Sequence, residues 1–463
     1  MDLVFESAWR IAERIRRKQV SAVEVLDAVL AQCARYPSIN AVVTFDDRAR
    51  EAAIKADEWI ARGEVIGDLH GVPITIKDTI ETAGLRTTAG APMLAQYVPA
   101  TDAPAVTRLR RAGAIVLGKT NTPMFGMHPQ TFNDVFGRTN NPWDESRTPG
   151  GSSGGPAAAV CSGMSFLDLC SDMSGSIRIP AHFCGVYAMR PTVHRVPSVG
   201  HIPDFPGGPR TDRLLATLGP IARSLRDVGL AMRVLTDDDD NPRDTETAPV
   251  PWRDQQPPPA SALRIAWAET LPGVPVAAAL RETVARVAST LASAGVRVEQ
   301  RLPDGLEAHR APWLELFKGF MHMVRTLYPG SVPPTDEEPP SLPDYARALH
   351  ARDGVIREWD QFLTDYDALL LPVSLDVAFP HAPPKTPLVV DGASVESWRI
   401  DHLLYPFSFT GQPTVVIPAG VHDGLPIGVQ LIGRRWQDER LLATAATVDA
   451  LVAGYRVPPR LIG

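Results

Sequence analysis

Three segments of the chain carry side chains that could act on a carbonyl: GVPITIKD at 71–78, PGGSSGG at 149–155 and SDMSGSIRIPA at 171–181. Lys77 ends an apolar run that reads as a buried strand, and burial disfavours the charged form of a lysine, moving it toward a neutral base. Arginine could not play this part, because its guanidinium does not give up its proton in proteins. The choice is pointed in a chain that holds six lysines against forty arginines. Gly150, Gly151, Gly154 and Gly155 allow the backbone to fold tightly around the hydroxyls of Ser152 and Ser153. Ser176 follows Gly175 at the expected start of a helix, where outward-pointing N–H groups can hold an oxyanion. Taken singly, each piece has a plain reading: a lysine at a strand end snorkels, a glycine-serine run is a turn, and Ser-Gly-Ser is uninformative. Together, and in this order, they are far more specific.

Two other motifs compete for the chemistry. Gly113 to Thr120 reads GAIVLGKT, a formal match to the phosphate-cradling G-x-x-x-x-G-K-[ST] loop. That loop needs a strand before it and a helix after it. Here a helix precedes, AIVL is itself a strand, and Gly113 reads better as the glycine that ends the helix. Gly150 to Gly154 matches the G-x-S-x-G nucleophile elbow, which would make Ser152 the nucleophile of a Ser-His-Asp esterase. The polar, proline-containing NNPWDESRTP upstream is no strand, and none of the eleven histidines is marked as a base by a local pattern. Cys184, in the apolar HFCGVYAM run, reads as a buried structural thiol.

The elements that must position these groups have α/β character. The first sixty-odd residues read as helices: Ala8, Ile11, Ala12 and Ile15 share a face, and Ser21 with Glu24 forms a capping box before a second apolar stripe. From Gly71 onward, short apolar runs bounded by glycine and proline mark buried strands: VPITIK at 72–77, AIVL at 114–117, and later LRIAWA, VRVEQ, ALLLP, TVVIP and IGVQLIG. The stretch 237–261, rich in aspartate and proline, reads as an exposed loop, and a helix is expected from about Val276 to Ala294. Trp313 to Leu327 is apolar on nearly every face, which fits a core helix or a cover over an apolar pocket.

With 463 residues, 44% apolar and 21% charged, the chain has the make-up of a soluble globular protein able to bury a large core. A net charge of -7 without a basic stripe argues against nucleic acid or anionic lipid as a partner. Four cysteines without C-x-x-C spacing give no disulfide framework or zinc knuckle. No secretory or membrane-spanning stretch is legible, so a cytoplasmic location is expected. Proline, 44 of 463, implies many stiff loops around the core.

At this point the sequence resembles the amidase signature family of serine hydrolases. The resemblance spans the N-terminal helices, GVPITIKD, GAIVLGKTN, Pro149 to Thr192, and the closing FTGQPTVVIPAG and GLPIGVQLIG. It implies one large α/β/α domain over 1–463, a central mixed twisted sheet covered by helices. Within it lie N-terminal helices (1–65), a catalytic core (66–235), the exposed loop (237–261), and the remainder (262–463) with a substrate-covering segment at 305–345. It also implies the family's Ser-cisSer-Lys triad: Ser176 as nucleophile, Ser152 as bridging serine after a cis peptide, and Lys77 as base. Backbone N–H groups of Met173, Ser174, Gly175 and Ser176 would form the oxyanion hole. Ser153 would support the loop, Asp172 and Arg178 would pair beside the nucleophile, and no metal or organic cofactor is required.

The same resemblance places Gly126, Met127 and His128, within GMHPQ at 126–130, on the substrate pocket, with Phe317, Met321 and Met323 adding an apolar lining. No carboxylate clamp is apparent, so the expected substrate is a neutral, partly hydrophobic small-molecule amide, an aryl amide or a carbamate (urethane), with esterase side activity. The alternatives are the amidase subunit of a tRNA-dependent amidotransferase, and a silent binding module. A monomer or homodimer is expected. Ser174 stands where the family usually has glycine, Cys161 and Cys170 where alanine or glycine is usual, and Met124 where an acidic residue is common. These touch substrate preference and packing and leave every triad group in place.

Overall fold

The computed structural model describes residues 2–202, 204, 208–237, 244–330, 335, 337–452 and 454–462. Eleven strands form one mixed sheet: β1 (Val42–Phe45), β2 (Pro73–Lys77), β3 (Ile115–Thr120), β4 (Leu167–Asp172), β5 (Tyr187–Arg190), β6 (Thr217–Ala222), β7 (Arg264–Trp267), β8 (Arg297–Gln300), β9 (Ala368–Pro372), β10 (Thr414–His422) and β11 (Leu425–Ile432). Their spatial order is β1-β3-β2-β4-β6-β5-β10-β11-β9-β7-β8. Each apolar run read from the sequence lies on one of these strands.

Helices cover both faces, and the strands show it residue by residue. Leu370 of β9 packs in one core while its neighbours Leu369 and Leu371 pack in the other. Likewise Val415 and Ile417 of β10 face one side and Val416 the opposite side. This is the period of two for side chains on a pleated strand, with both faces buried. One face is covered by helices Ala8–Arg16, Ala22–Arg35, Leu225–Leu235, Ala278–Ser293 and Asp438–Asp449, the other by Arg178–Cys184, Arg310–Leu327 and Leu342–Phe362. The expected capping box is formed: Glu24 N–H donates to Ser21 Oγ at 3.1 Å, and Ser21 N–H to Glu24 Oε2 at 2.8 Å.

One topological fact sets the position of the chemistry. β2 lies between β3 and β4 and runs parallel to both. Parallel neighbours end on the same edge of a sheet, the edge where open α/β sheets bind ligands. With Thr75 opposite Asp168 and Ile76 opposite Leu169, Lys77 comes level with the last residues of β4. The helix Gly154–Cys161 packs on β4 and delivers the glycine-serine loop to the same edge.

The phosphate-loop match dissolves in the fold. Gly118 and Lys119 are interior to β3, and Gly113, at φ +89°, follows the end of helix Pro104–Arg111. In the acidic stretch, 238–243 lie outside the described residues. Beyond them Asp244 and Glu246 hold Arg210 at 3.3 and 3.1 Å, and 253–257 are exposed. No helix among the described residues is long and apolar enough to cross a membrane.

Candidate active site

Lys77 is fully buried, and its Nζ donates to Ser152 Oγ at 2.7 Å, Ser171 Oγ at 3.0 Å and the Ser171 carbonyl at 3.4 Å. Loss of water pushes its ammonium down to about 8, with the nearby acidic groups pulling the other way. Beneath it Asp168 accepts from Thr75 Oγ1 (2.6 Å) and Thr120 Oγ1 (2.9 Å), and burial pushes this carboxyl up to about 6. The peptide between Gly151 and Ser152 is cis. Gly126, at φ +70°, faces this serine so closely that a Cβ there would stand 3.2 Å from Ser152 Oγ.

A second lysine is equally buried. Lys119 donates to the Ile80 carbonyl, to Thr82 Oγ1 at 2.8 Å and to Thr87 Oγ1 at 3.2 Å, and burial lowers it to about 8 as well. Its three N–H groups are all spent on the 80–87 loop, away from the serines. Geometry therefore distinguishes the two lysines where burial does not.

Ser176 sits on the turn between β4 and helix Arg178–Cys184. It is half-buried, whereas Ser152 is 2% exposed. The Ser153 N–H donates to the Ser176 carbonyl at 3.0 Å, which ties the glycine-serine loop to this turn, and Ser153 Oγ donates to the Ser171 carbonyl at 3.3 Å. Asp172 organises the turn. Its carboxylate accepts the N–H groups of Gly175 (2.8 Å), Ile177 (2.9 Å) and Arg178 (3.3 Å), and the Arg178 side chain through Nε (3.1 Å) and Nη2 (2.9 Å). Burial alone would raise this carboxyl; the Arg178 charge and hydrogen bonds, with Arg190 beyond, hold it well below the usual range. The expected pairing of Asp172 with Arg178 is thus present, and both groups are fully buried.

The Gly175 N–H requires a correction to the expected oxyanion hole. It is committed to Asp172 Oδ1, because the carboxylate three residues earlier folds back over the turn. Of the four expected donors, Met173, Ser174 and Ser176 remain, and all three residues line the cavity. Gly175 itself is dictated by space and conformation: φ is +127°, and a Cβ would come within 2.4 Å of Leu404 Cδ1.

These residues open onto a cavity of about 390 Å³ whose wall includes Gly126, Met127, His128, Ser152, Ser174 and Ser176. Phe317, Met321, Phe320 and Trp313 supply its apolar side, so helix Arg310–Leu327 covers the pocket while Trp313 and Leu316 remain in the core. Met323 does not join them. It lines a separate groove with Tyr345 and Arg210, and Gln130 turns away to the Ala382 carbonyl at 2.9 Å. Residues the sequence did not single out also line the cavity: Ser171, His201, Arg310, Trp398, Asp401 and Tyr405. Asp401 lines the cavity with Ser174, and burial pushes its carboxyl up to about 7, with Ser174 pulling the other way. Arg310 lies over the Trp398 ring at 4.7 Å. A polar end thus faces the apolar lining, where the sequence showed no clamp. Among the described residues no group of His, Cys, Asp and Glu is arranged to hold a metal ion.

The family model for Amidase matches residues 24–332 and 334–442. The chain is 34% identical to the indoleacetamide hydrolase of Bradyrhizobium diazoefficiens, across 96% of this chain and 86% of that one. It is 32% identical to a glutamyl-tRNA(Gln) amidotransferase subunit from Moorella thermoacetica, across 100% and 99%. Among solved structures it superposes on a bacterial aryl acylamidase with a TM-score of 0.83 and 27% identity, across 96% of each chain. The chain belongs to the amidase signature family of amidohydrolases.

Replacing Asp172 by Asn would leave the fully buried Arg178 and Arg190 without their counter-charge. Breaking a buried pair in this way costs about 3–5 kcal/mol. Urea denaturation of Asp172→Asn is expected to show a loss of that size, and a stability within 1 kcal/mol of the parent, on the order of a surface substitution, would refute the organising role of Asp172.

Proposed function

We propose that this chain hydrolyses the C–N bond of a neutral, partly hydrophobic small-molecule amide, with aryl amides and carbamates the favoured classes, through an acyl-enzyme on Ser176. The observation that carries this reading is the 2.7 Å bond from a desolvated lysine to the Ser152 hydroxyl, in a cavity that exposes a second serine, Ser176. Neutral Lys77 takes the Ser152 proton while Ser152 takes that of Ser176, whose oxygen attacks the carbonyl. The N–H groups of Met173, Ser174 and Ser176 hold the oxyanion. As the tetrahedral intermediate collapses, the proton returns through Ser152 to the leaving nitrogen. Water then enters by the same relay, forms the acid and restores Ser176. The residues supply base, relay, nucleophile and anion donors themselves, so the scheme uses neither metal nor cofactor. Esters should react too, because an alkoxide leaves more readily than an amide nitrogen.

The apolar lining from Met127, Phe317, Phe320 and Met321 supports a partly hydrophobic substrate. A second reading has its own support: a relative that is a subunit of a glutamyl-tRNA(Gln) amidotransferase aligns over the entire chain. That role needs partner chains and glutamine. The two readings separate on the isolated chain, which as an amidohydrolase acts on simple anilides unaided.

A hydrolysis screen over primary amides, anilides, carbamates and esters, with Lys77→Ala as blank, is expected to give turnover on anilides or carbamates as well as esters. Turnover confined to esters would overturn the amidase reading. A fluorophosphonate should add to Ser176 by intact mass and peptide mapping and fail to add in Ser176→Ala; a label on Ser152 would restore the nucleophile-elbow alternative. Because the base must be neutral, kcat/KM is expected to rise with pH through about 8 and level off above it, falling about tenfold per unit below. The same inflection in Asp401→Asn assigns it to Lys77 rather than to the carboxyl at the other end of the cavity.

A further inference from the structure

The relay accounts for most polar groups of the cavity. Ser152 and Ser171 are held by Lys77, and His128 Nδ1 accepts the Gln130 N–H at 3.0 Å. Arg310 lies over the Trp398 ring. His201 lines the same cavity as Ser152 and Ser171 and, like Ser397, has no side-chain hydrogen bond among the described residues.

Its backbone is firmly placed. His201 pairs with Ile80 as an antiparallel bridge, and the Ile202 N–H donates to the Thr79 carbonyl at 2.8 Å. The Glu81 N–H donates to the Gly200 carbonyl at 2.9 Å, and the Ile80 N–H reaches back to the Lys77 carbonyl at 3.0 Å. The His201 backbone is thereby held beside the turn that leaves the proposed base. Loss of water, and then the Lys77 charge, lower its pKa to about 3, so the ring stays neutral while the enzyme works. A neutral imidazole offers one N–H donor and one acceptor nitrogen.

The mechanism says where such a group is wanted. Ser152 must hand its proton to the leaving nitrogen and later take one from the attacking water, so nitrogen and water occupy the same place beside Ser152. Ser152, which Lys77 holds, lines this cavity with His201, whose backbone bridges to Ile80 three residues past Lys77. Resting on the acyl-enzyme reading above, we propose that His201 holds the hydrolytic water in the space the amine vacates. The water oxygen bonds to the acyl carbon as its proton passes to Ser152 and on to Lys77. The acyl–Oγ bond to Ser176 then breaks, and Ser176 regains the proton by the reverse path. His201 keeps its own proton throughout and orients without acting as a base.

The role predicts a split between half-reactions. Stopped-flow hydrolysis of a p-nitrophenyl ester by the full chain resolves acylation as a burst and deacylation as the steady state. In His201→Ala the burst rate should stay within about twofold, while steady-state turnover drops about tenfold or more from misplacing one reactant. His201→Gln, which keeps a donor and an acceptor, should recover much of the loss, and His201→Phe, which keeps ring volume alone, should not. If His201→Ala does not fold, the Gln and Phe variants carry the comparison alone. Burst and turnover falling together, or turnover unchanged, would overturn the proposal. Absence of any Ser176 adduct in the parent chain would instead sink the acyl-enzyme reading on which it rests.

Discussion

The buried Asp172–Arg178 pair is the contact on which the arrangement of the site depends. Two fully buried charges are costly unless each is surrounded by partners, and here the partners come from the parts that must be held together. Asp172 gathers three backbone N–H groups of the turn that carries Ser176. Arg178 reaches outward to the Leu404 carbonyl at 3.1 Å and Ser408 Oγ at 2.7 Å. The segment carrying Asp401 and Tyr405 is therefore clamped to the segment carrying Ser176. Ser176 and the far wall of the cavity are thus joined through one buried pair.

Burial does different work in two places. Lys77 and Lys119 lie on neighbouring parallel strands, both are fully enclosed, and both are lowered to about 8. Lys119 spends its hydrogens on one carbonyl and two threonines, which makes it a strut for the 80–87 loop. Lys77 points to serines that can exchange a proton with it. A shifted lysine is a common product of a buried strand end; what turns one into a candidate base is the chemistry of its acceptors.

The sequence was informative wherever function is written in contiguous residues. The strands, the capping box of Ser21 with Glu24, and the three chemical segments were legible because their periodicity, caps and wording are local. The groups that were missed belong to non-local pairings. Asp168 lies under Lys77 only through the parallel register of β2 and β4, and Ser171 through the same alignment. His201 arrives from far along the chain by a bridge to Ile80. Nothing in one sequence announces such partners. Met323 is different, since helical arithmetic at 3.6 residues per turn puts Met321 close to the direction of Phe317 and swings Met323 well away from it. The apolar character of the segment hid a phase that was there to be read.

The oxyanion turn brings these threads together. Asp172 draws the Gly175 N–H inward, which takes one expected donor out of the cavity while fixing the peptides on either side of it. Ser174, on the cavity side of that turn, carries a hydroxyl where a glycine would carry none, and it lines the cavity together with Asp401. Asp401 sits three residues before Leu404, whose carbonyl Arg178 holds. The turn is thus gripped by a buried carboxylate whose partner, Arg178, also holds the segment carrying Asp401. The turn that carries Ser176 and the Asp401 end of the cavity are in that way tied to one buried ion pair.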